Sequence, residues 1–228
     1  MTTSYLSVNA ADFIDLVHGT LLATSKDQSL PAFTCIEFSI GADGSLAAAA
    51  TDRYRLHTGT MHSSTPTAQA ATALVTRDNI AHMLATLAPY AHTSKSRRSS
   101  SKHQQIEFTI SNDGPGLREW VITHPSGVIR GDCFTGDFPN WRELLDAMPF
   151  GQVSDWTLNA RYVADIGKVP SDSEYVYWSA FDPTKGFRAT RTHPAITWHL
   201  VLMPTRPAPD ERDPRPWQRV PHVPAPTA

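Results

Sequence analysis

The stretch Ala48–Leu56, AAATDRYRL, holds the clearest local pattern in this chain of 228 residues. Its small residues are typical of a buried strand, and the strand runs into an edge rich in Asp and Arg. Asp52 lies close to Arg53 and Arg55, and a carboxylate–guanidinium pair is bidentate and charge-assisted, so such a pair would lock a sharp strand end. The alternative is a solvated turn with a surface ion pair that contributes about 0–1 kcal/mol. The stretch alone leaves both interpretations open.

The residues around this stretch predict one strand, one helix and then two or three strands. Asn9 is a suitable N-cap, and Asp12 in the first turn favours the helix dipole. The apolar residues Phe13, Leu16, Val17 and Leu21 recur at helical spacing, so one helix face is buried. A polar break at Ser25–Ser29 ends the helix, and Gly41–Gly44 is a hairpin turn signal. The predicted strands are Ser4–Val8, Phe33–Ile40, Ser45–Ala50 and Leu56–Met61.

The same order of elements recurs twice further along the chain. After the linker His62–Gln69, a second helix is capped by Thr76 or Asp78 and buries Ile80, Leu84 and Leu87. A third helix, Asn159–Lys168, turns Tyr162, Val163 and Ile166 inward. Three β-α-β-β-β units predict an α+β fold with helices on one face of antiparallel sheets. The strands of these units are Ala73–Val75, Ile106–Ile110, Trp120–Thr123, Val128–Phe134, Tyr175–Phe181, Phe187–Thr192 and Ile196–Met203.

Composition and charge exclude several classes of protein. A net charge of −2 excludes an overall polycation, so nucleic-acid contact would need a local basic patch. Cys35 and Cys133 form no CxxC pattern and indicate small buried thiols in a reducing compartment. The N-terminus shows no signal-peptide pattern, and no apolar run approaches the roughly 20 residues of a membrane span. We therefore expect a cytoplasmic protein.

Five motifs, in the same order along the chain, resemble the bacterial DNA polymerase III beta sliding clamp. Ala50–Leu56 resembles the ATDGHRL motif of that family, and Phe138–Leu145, FPNWRELL, resembles its FPDYRRVL-type linker into the last domain. Ser25–Ile36, SKDQSLPAFTCI, resembles the segment between the first helix of the middle domain and the next strand. Leu158–Asp165, LNARYVAD, is similar to the helix start of the final half-domain, and Val201–Arg206, VLMPTR, to the C-terminal VMPMR. The resemblance covers about residues 5–206.

This resemblance implies a DNA-clamp fold and a domain organisation. Residues 1–137 resemble the middle clamp domain and consist of two half-units, 1–66 and 67–137. Residues 138–206 resemble the linker and one half of the C-terminal domain. Residues 207–228 hold seven of the 18 prolines and predict a disordered or extended tail. This tail would leave beside the proposed pocket, and occupancy of the pocket by Trp217 or Val220 stays open as an alternative.

The resemblance also implies a function. Sliding clamps are non-catalytic rings that encircle duplex DNA, are opened by a loader, and tether polymerases and other enzymes that carry a short, partly apolar linear motif. The motif enters a pocket between the middle and last domains. An apolar cleft at a domain junction with a few polar groups at its rim suits such a peptide, and a Met lets it adapt to different partners. At the matching positions this pocket would use Phe33, Thr51, Tyr54, Arg55, Leu56, Pro139, Leu144, Asn159, Tyr162, Val201, Met203, Pro204 and Arg206.

Several positions depart from the family pattern. Arg53-Tyr54 replaces Gly-His, Glu143 stands where Arg is common, and Thr205 replaces the second Met of the terminal motif. The chain also has three units, whereas a clamp subunit has six and a closed ring has twelve. A ring would therefore need four chains in a closed homo-oligomer. The alternative is a non-ring decoy or regulator that sequesters clamp-binding proteins.

Contact with double-stranded DNA would come from basic residues on the helices and in one loop. Arg77 and Arg161 lie on the second and third helices. The loop KSRRSSSK, within Tyr90–Gln105, is the densest basic run and could track phosphates. A solvated loop without a ligand explains these charges equally well. The loop residues proposed for DNA contact are Lys95, Arg97, Arg98 and Lys102.

Nothing in the sequence indicates an enzyme, a metal or a cofactor. The chain has no P-loop, no GxGxxG and no GxSxG elbow. His57 and His62 are not at a metal-binding spacing, and isolated histidines are expected at the surface. Cys35 would be a nucleophile only with a histidine beside it, and a Cys in a strand is usually a small buried hydrophobe. A hydrolase of α+β fold would need a cleft of convergent titratable groups, for which the sequence offers no pattern.

Overall fold

A computed structural model describes residues 2–63, 69–91, 104–112, 118–146, 158–182 and 186–204. These residues form antiparallel sheets with few helices, so the α+β prediction is confirmed. The helices are α1 (Ala10–Leu21), α2 (Arg77–Leu87), α3 (Trp141–Asp146) and α4 (Ala160–Lys168). The strands are β1 (Thr2–Asn9), β2 (Ile36–Ile40), β3 (Ser45–Thr51), β4 (Arg55–His62), β5 (Ala71–Val75), β6 (Gln105–Asn112), β7 (Arg118–His124), β8 (Gly127–Asp132), β9 (Tyr177–Asp182), β10 (Gly186–Thr192) and β11 (Thr197–Leu202).

Side-chain caps begin the three longer helices. Asn9 Oδ1 accepts hydrogen bonds from the backbone N–H groups of Ala11 and Asp12 at 3.0 and 3.2 Å, as predicted for α1. Thr76 caps α2 through Asn79 N–H, and Asn159 caps α4 through Arg161 N–H. Each cap satisfies a backbone donor that a helix leaves free at its first turn.

Strand exchange joins the first two units, which we call unit 1 (β1–β4 with α1) and unit 2 (β5–β8 with α2). Strand β1 of unit 1 pairs with β6 of unit 2, and β5 of unit 2 pairs with β2 of unit 1, both antiparallel. The shared core includes Phe13, Phe38 and Phe108, whose ring centroids are 5.2–6.0 Å apart. Because unit 2 contributes Phe108, neither unit completes this core alone.

A continuous sheet connects unit 1 to unit 3, which comprises α4 and β9–β11. The seven-stranded sheet has the order β5-β2-β3-β4-β11-β10-β9, with Leu56 opposite Val201 in the β4–β11 pair. Trp198 is fully buried at this junction. A Cβ atom added at Gly19 or Gly59 would lie 2.4 or 2.7 Å from atoms of the Trp198 ring, so both glycines permit its close approach.

The structure corrects three local predictions. Phe33 lies in a 3-10 turn, Pro31–Thr34, and β2 starts only at Ile36, because Pro31 and the bond from Thr34 Oγ1 to Pro31 O hold a turn. Val163 is exposed rather than inward, and His57 is fully buried rather than at the surface.

Both cysteines are free thiols. Cys35 is buried and Cys133 is half-buried. Burial raises the pKa of each thiol to about 11, so neither is a reactive thiolate near neutral pH. The prediction of a small buried thiol is confirmed for Cys35.

Candidate binding site at the junction of units 1 and 3

The turn between β3 and β4 is held by side-chain hydrogen bonds to its own backbone. Asp52 Oδ1 accepts from Tyr54 N–H and Arg55 N–H, each at 3.1 Å. Thr51 Oγ1 donates to Arg55 O at 2.7 Å and accepts from Arg53 N–H at 3.1 Å. Arg53 has a φ of +79°, in the left-handed region that disfavours residues with a Cβ. The sequence ATDRYRL therefore folds into a fixed turn that projects Tyr54 and Arg55.

Arg55 connects unit 1 to unit 3 through two carboxylates. Its Nε lies 3.1 Å from Asp52 Oδ2, and its Nη1 donates to Asp165 Oδ2 of α4. The guanidinium carbon lies 4.5 Å from the centroid of the Tyr162 ring, in a cation–π contact. Because the Arg55 and Asp52 side chains are only 10% and 13% exposed, the pair within the turn is largely buried, and the alternative of a solvated surface pair is wrong.

The charges around Asp165 fix its protonation state. Burial alone would raise the pKa of this carboxyl, but hydrogen bonds from Lys168 and Arg55 outweigh burial and hold the pKa below its usual value. Lys168 Nζ lies 2.8 Å from Asp165 Oδ1. Burial also raises the pKa of the Tyr162 hydroxyl, and the nearby Asp52 charge adds to this effect. The ionised Asp165 therefore holds Arg55 in place at neutral pH.

Two buried histidines lie between α1 and the adjoining sheet. His57 Nδ1 lies 2.8 Å from Gly19 O, and burial lowers the pKa of His57 to about 4, so the ring is neutral at pH 7. His193 of unit 3 places Nε2 3.4 Å from Asp15 Oδ2 of α1. The His193–Asp15 contact adds to Trp198 and Arg55 in fixing unit 3 against unit 1, whereas the His57–Gly19 contact lies within unit 1.

An apolar cluster covers the opposite face of the sheet at the same junction. Trp141 of α3 packs there, and its Nε1 donates to Glu37 Oε1 at 2.8 Å. Arg142 stacks over the Trp141 ring with its guanidinium carbon 4.1 Å from the centroid, and its Nη1 lies 3.3 Å from Glu37 Oε1. We call this the outer cluster. Its members are Ala47, Ala49, Leu56, Trp141 and Val201, with Phe138, Leu145 and Met203 packed against them.

A cleft of about 950 Å³ lies on the helical side of the junction. It runs between the end of α1, the turn after β3, and α4. Six Lys or Arg side chains and three Asp side chains line it, so its lining carries a net positive charge. The lining residues are His18, Leu21, Leu22, Thr24, Ser25, Lys26, Asp27, Asp52, Arg53, Tyr54, Arg55, Arg77, Arg161, Tyr162, Asp165 and Lys168.

The predicted pocket residues divide between these two surfaces. Tyr54, Arg55 and Tyr162 line the cleft, whereas Leu56, Val201 and Met203 belong to the outer cluster. This division follows from strand geometry, because consecutive residues such as Arg55 and Leu56 point to opposite faces.

The remaining predicted residues lie around these surfaces. Leu144 and Pro139 are exposed on and before α3, and Pro204 is half-buried after β11. Thr51 holds the turn, Asn159 caps α4, and the Phe33 carbonyl accepts a hydrogen bond from Ser25 N–H. Arg206 lies outside the described residues. Their role in peptide binding stays a prediction.

Of the residues predicted to contact DNA, Arg77 and Arg161 both line the cleft. Arg77 Nη1 donates to Thr24 Oγ1 at 2.6 Å, which ties α2 to the segment after α1. Lys95, Arg97, Arg98 and Lys102 lie outside the described residues, as does the tail at 207–228. The cleft thus brings together the two helix-borne arginines but leaves the loop prediction untested.

Three important residues were not singled out from the sequence. Trp141, Glu37 and Asp165 form the main side-chain contacts of the junction. The Trp at the centre of FPNWRELL was a signal for a buried anchor, since a large aromatic residue in a polar linker needs a partner. Within the parts of the chain that the structure describes, there is no group of three or more His, Cys, Asp or Glu suited to a metal ion. The described helices include none with the length and hydrophobicity of a membrane span.

The chain is similar to known proteins in structure but not in sequence. No protein-family profile matches the chain, and no curated protein matches its sequence. A DNA polymerase sliding clamp from Pseudomonas aeruginosa superposes with a TM-score of 0.67 at 13% identity, over 89% of this chain and 67% of that one. The P. aeruginosa clamp bound to griselimycin gives a TM-score of 0.68 at 13% identity, over 89% and 65%.

Clamps from two other bacteria give similar TM-scores. The Bacillus subtilis clamp has a TM-score of 0.66 at 11% identity, over 89% of this chain and 64% of its own. A DNA polymerase III beta subunit described as putative, from Eubacterium rectale, has a TM-score of 0.68 at 9% identity, over 88% and 65%. The chain spans about two thirds of the length of these solved clamps. It therefore has the fold of the DNA polymerase III beta sliding clamps, and the resemblance drawn from its five motifs is confirmed at the level of the fold.

Proposed function

We propose that this chain is a sliding-clamp-like DNA replication factor that binds linear motifs of a DNA polymerase or other partners where units 1 and 3 meet. The proposal depends on one observation: at the junction of units 1 and 3, an exposed aromatic residue in a fixed turn lies next to an apolar cluster. A fixed turn presents the exposed Tyr54 side chain, and the apolar outer cluster, which contains the buried Leu56 and Val201, lies on the other face of the same strand ends. The structural similarity to sliding clamps, one of which was solved with bound griselimycin, supports the proposal that this chain is a clamp-like binding protein. In this proposal the protein is not an enzyme, and residues 1–137 and 138–206 act as its two domains.

The partner peptide would contact the exposed rim of the outer cluster. Leu144 and Tyr54 are exposed apolar or aromatic side chains, and Met203 is half-buried and packs against the outer cluster. Met203 N–H donates to Tyr54 O at 2.9 Å, so the strand end and the turn form one rim. An apolar peptide side chain would pack on this rim, because exposed apolar groups with nearby polar atoms give both affinity and orientation.

Fluorescence anisotropy tests this site with a labelled peptide that carries a bacterial clamp-binding motif. We expect saturable binding, and about tenfold or greater weakening by Met203→Ala or Leu144→Asp, since anchor residues carry most of the binding free energy. Val128→Ala, on exposed β8, is the matched control and should bind as the wild type does. Arg55→Ala is unsuitable, because it breaks the contact with Asp165. Absence of binding by the folded wild-type chain would refute the proposal.

Duplex DNA would contact the helical side of the molecule in the same proposal. The cleft there carries Arg77 and Arg161, and each phosphate contact releases counterions, so binding should weaken steeply with salt. Arg161→Glu should reduce affinity for duplex DNA at low salt without changing peptide binding.

A ring would need four chains and a loader, and retention on circular but not linear DNA would test ring closure. The alternative, a decoy that sequesters clamp-binding proteins, predicts peptide binding without any DNA retention.

A further inference from the structure

The chain leaves its last described strand at the rim of the outer cluster. Met203 packs against that cluster, and its N–H donates to Tyr54 O at 2.9 Å, so the end of β11 is fixed to the turn after β3. Pro204, which is half-buried, is the last of the described residues. The tail, residues 207–228, therefore starts within a few positions of the surface that we propose for the partner peptide.

The tail carries an apolar anchor of the kind that such a surface binds. Trp217 follows Pro204 by 13 positions, and Val220 comes three positions later. An extended chain spans up to about 45 Å over that length, so the tail can fold back over the outer cluster. Pro214 and Pro216 restrict the backbone before Trp217, and this restriction lowers the entropy that docking costs.

The charges beside this anchor are opposite to those on α3. Arg215 and Arg219 lie two positions on either side of Trp217. On α3, Glu143 and Asp146 are exposed and stand three positions apart, so they share one face of the helix. Opposite charges across a contact fix its register and suppress wrong partners. The charge pattern therefore favours docking of the Trp217 segment beside α3.

The basic cleft on the helical side does not offer the same match. Six Lys or Arg side chains against three Asp side chains line it, so it would repel an anchor that lies between two arginines. The outer cluster is instead covered by α3, which carries the two carboxylates and the exposed Leu144 side chain. Of the two surfaces at the junction, the outer cluster is thus the one that suits the tail.

We propose that the tail folds back onto the outer cluster of its own chain and places Trp217 where an apolar side chain of the partner peptide would bind. This inference rests on the proposed function, since it makes the tail a competitor of the partner motif. A tethered segment acts at an effective concentration on the order of 1 mM, so a contact with a Kd of about 0.1–0.5 mM would weaken peptide binding by roughly three- to tenfold. The tail would then select for partners whose motif binds strongly enough to displace it.

Fluorescence anisotropy with the labelled clamp-binding peptide measures this competition in the full chain. Trp217→Ala should bind the peptide about three- to tenfold more tightly than the wild type does, because the variant loses the competing anchor. Gln218→Ala, at the next position, removes neither an apolar anchor nor a charge, so this matched control should keep the wild-type affinity. Equal affinities of Trp217→Ala and the wild type would overturn the proposal.

Limited digestion with trypsin detects the contact without any partner peptide. The bond after Arg219 lies close to Trp217, and its cleavage should be about threefold slower in the wild type than in Met203→Ala, which loses part of the surface under the anchor. Val128→Ala, on exposed β8, is the control and should be cleaved like the wild type. Circular dichroism checks that each variant is folded. Equal cleavage of the wild type and Met203→Ala would contradict the placement of the tail on the outer cluster.

The two measurements also separate this inference from the proposed function. If no variant binds the labelled peptide but Met203→Ala speeds cleavage after Arg219, the tail contact stands and the proposed function falls. If Trp217→Ala and the wild type bind the peptide equally well, the proposed function stands and the tail contact falls. Protection of Arg219 that is lost on dilution from about 100 µM to about 1 µM would assign the tail to a second copy and overturn a contact within one chain.

Discussion

Units 1 and 2 bury their helices and strands in each other, whereas unit 3 has no second unit to complete its core within the described residues. Helix α1 buries nine residues, but α4 buries only Asp165 and Ile166. What holds unit 3 in place is its contact with unit 1, through Trp198, the Arg55–Asp165 pair and the β4–β11 pairing. The described part of unit 3, α4 with β9–β11, therefore depends on its contact with unit 1 more than units 1 and 2 depend on unit 3.

The largest test of this comparison removes matched aromatic side chains from the two cores. Phe108→Ala should lower the free energy of unfolding by about 3–5 kcal/mol, because it opens a cavity that both units line. Trp178→Ala should lower it by about 1 kcal/mol or less in the monomer, because the ring is partly solvated. Urea unfolding of both variants at one low protein concentration measures the difference. Equal losses would show that the core of unit 3 is as complete as that of units 1 and 2.

A second test uses acid to probe the core beneath α1. His57 has a pKa lowered to about 4 in the folded chain, against 6.5 for the ordinary side chain, so below pH 6.5 the unfolded chain binds a proton that the folded chain does not. Stability should therefore fall as the pH drops from about 6.5 to about 4, by up to about 3 kcal/mol.

His57→Asn should remove this contribution, since the Asn amide can still donate to Gly19 O and does not titrate. Urea midpoints of the wild type and the variant between pH 4 and 7.5 give the comparison, and parallel curves would contradict the buried position of His57.

A third test weakens the Arg55–Asp165 pair, which joins unit 3 to unit 1. Asp165→Asn should cost about 2–3 kcal/mol at pH 7, because it leaves Arg55 nine-tenths buried with one carboxylate fewer. The folded pKa of Asp165 is below its ordinary value of 3.8, so its stabilising effect is present above that pH and is lost as the pH falls through the lower folded value.

The stability gap between wild type and Asp165→Asn should thus be constant above about pH 5 and close in stronger acid. Lys168→Met removes only the more exposed partner of Asp165 and should cost less. A gap that widens in acid would contradict the assigned pKa direction.

The smallest effect concerns the turn that ends β3. Arg53 has a φ of +79°, where a Cβ is unfavourable, and Gly relieves this strain at some cost in chain entropy. Arg53→Gly should therefore stabilise the chain by about 0.5–1 kcal/mol. Tyr54→Gly, at the neighbouring position, has no such strain to relieve and should destabilise it. Thermal unfolding of the two variants separates the outcomes.

The periodic patterns of the sequence predicted most of the helices and strands, because amphipathic spacing is a local property. The cap at Asn9 and the apolar face with Phe13 and Leu16 needed only neighbouring residues for their prediction. The 3-10 turn at Pro31 was missed because the apolar residues that follow it resemble a strand. The strand exchange between β1 and β6 and the joining of β4 to β11 depend on contacts between distant residues, which no local pattern contains.

The candidate site was predicted in part for the same reason. The sequence indicated that an arginine would pair with Asp52, and Arg55 does so three residues away. Its second partner, Asp165, lies 110 residues further along the chain and is brought close only by the fold. The burial of His57 could not be predicted from the sequence either, because the residues that surround it come from α1 and β11 as well as from its own strand.

The pairing of β4 with β11 determines how far unit 3 can move relative to unit 1. Six residue pairs, from Thr197–Thr60 to Leu202–Arg55, tie the two strands together, and the outer cluster and the Arg55–Asp165 pair lie on either side of them. Rotation of unit 3 about this line would break backbone hydrogen bonds and both side-chain contacts at once. The junction is therefore rigid, and any motion of unit 3 as a whole must carry unit 1 with it.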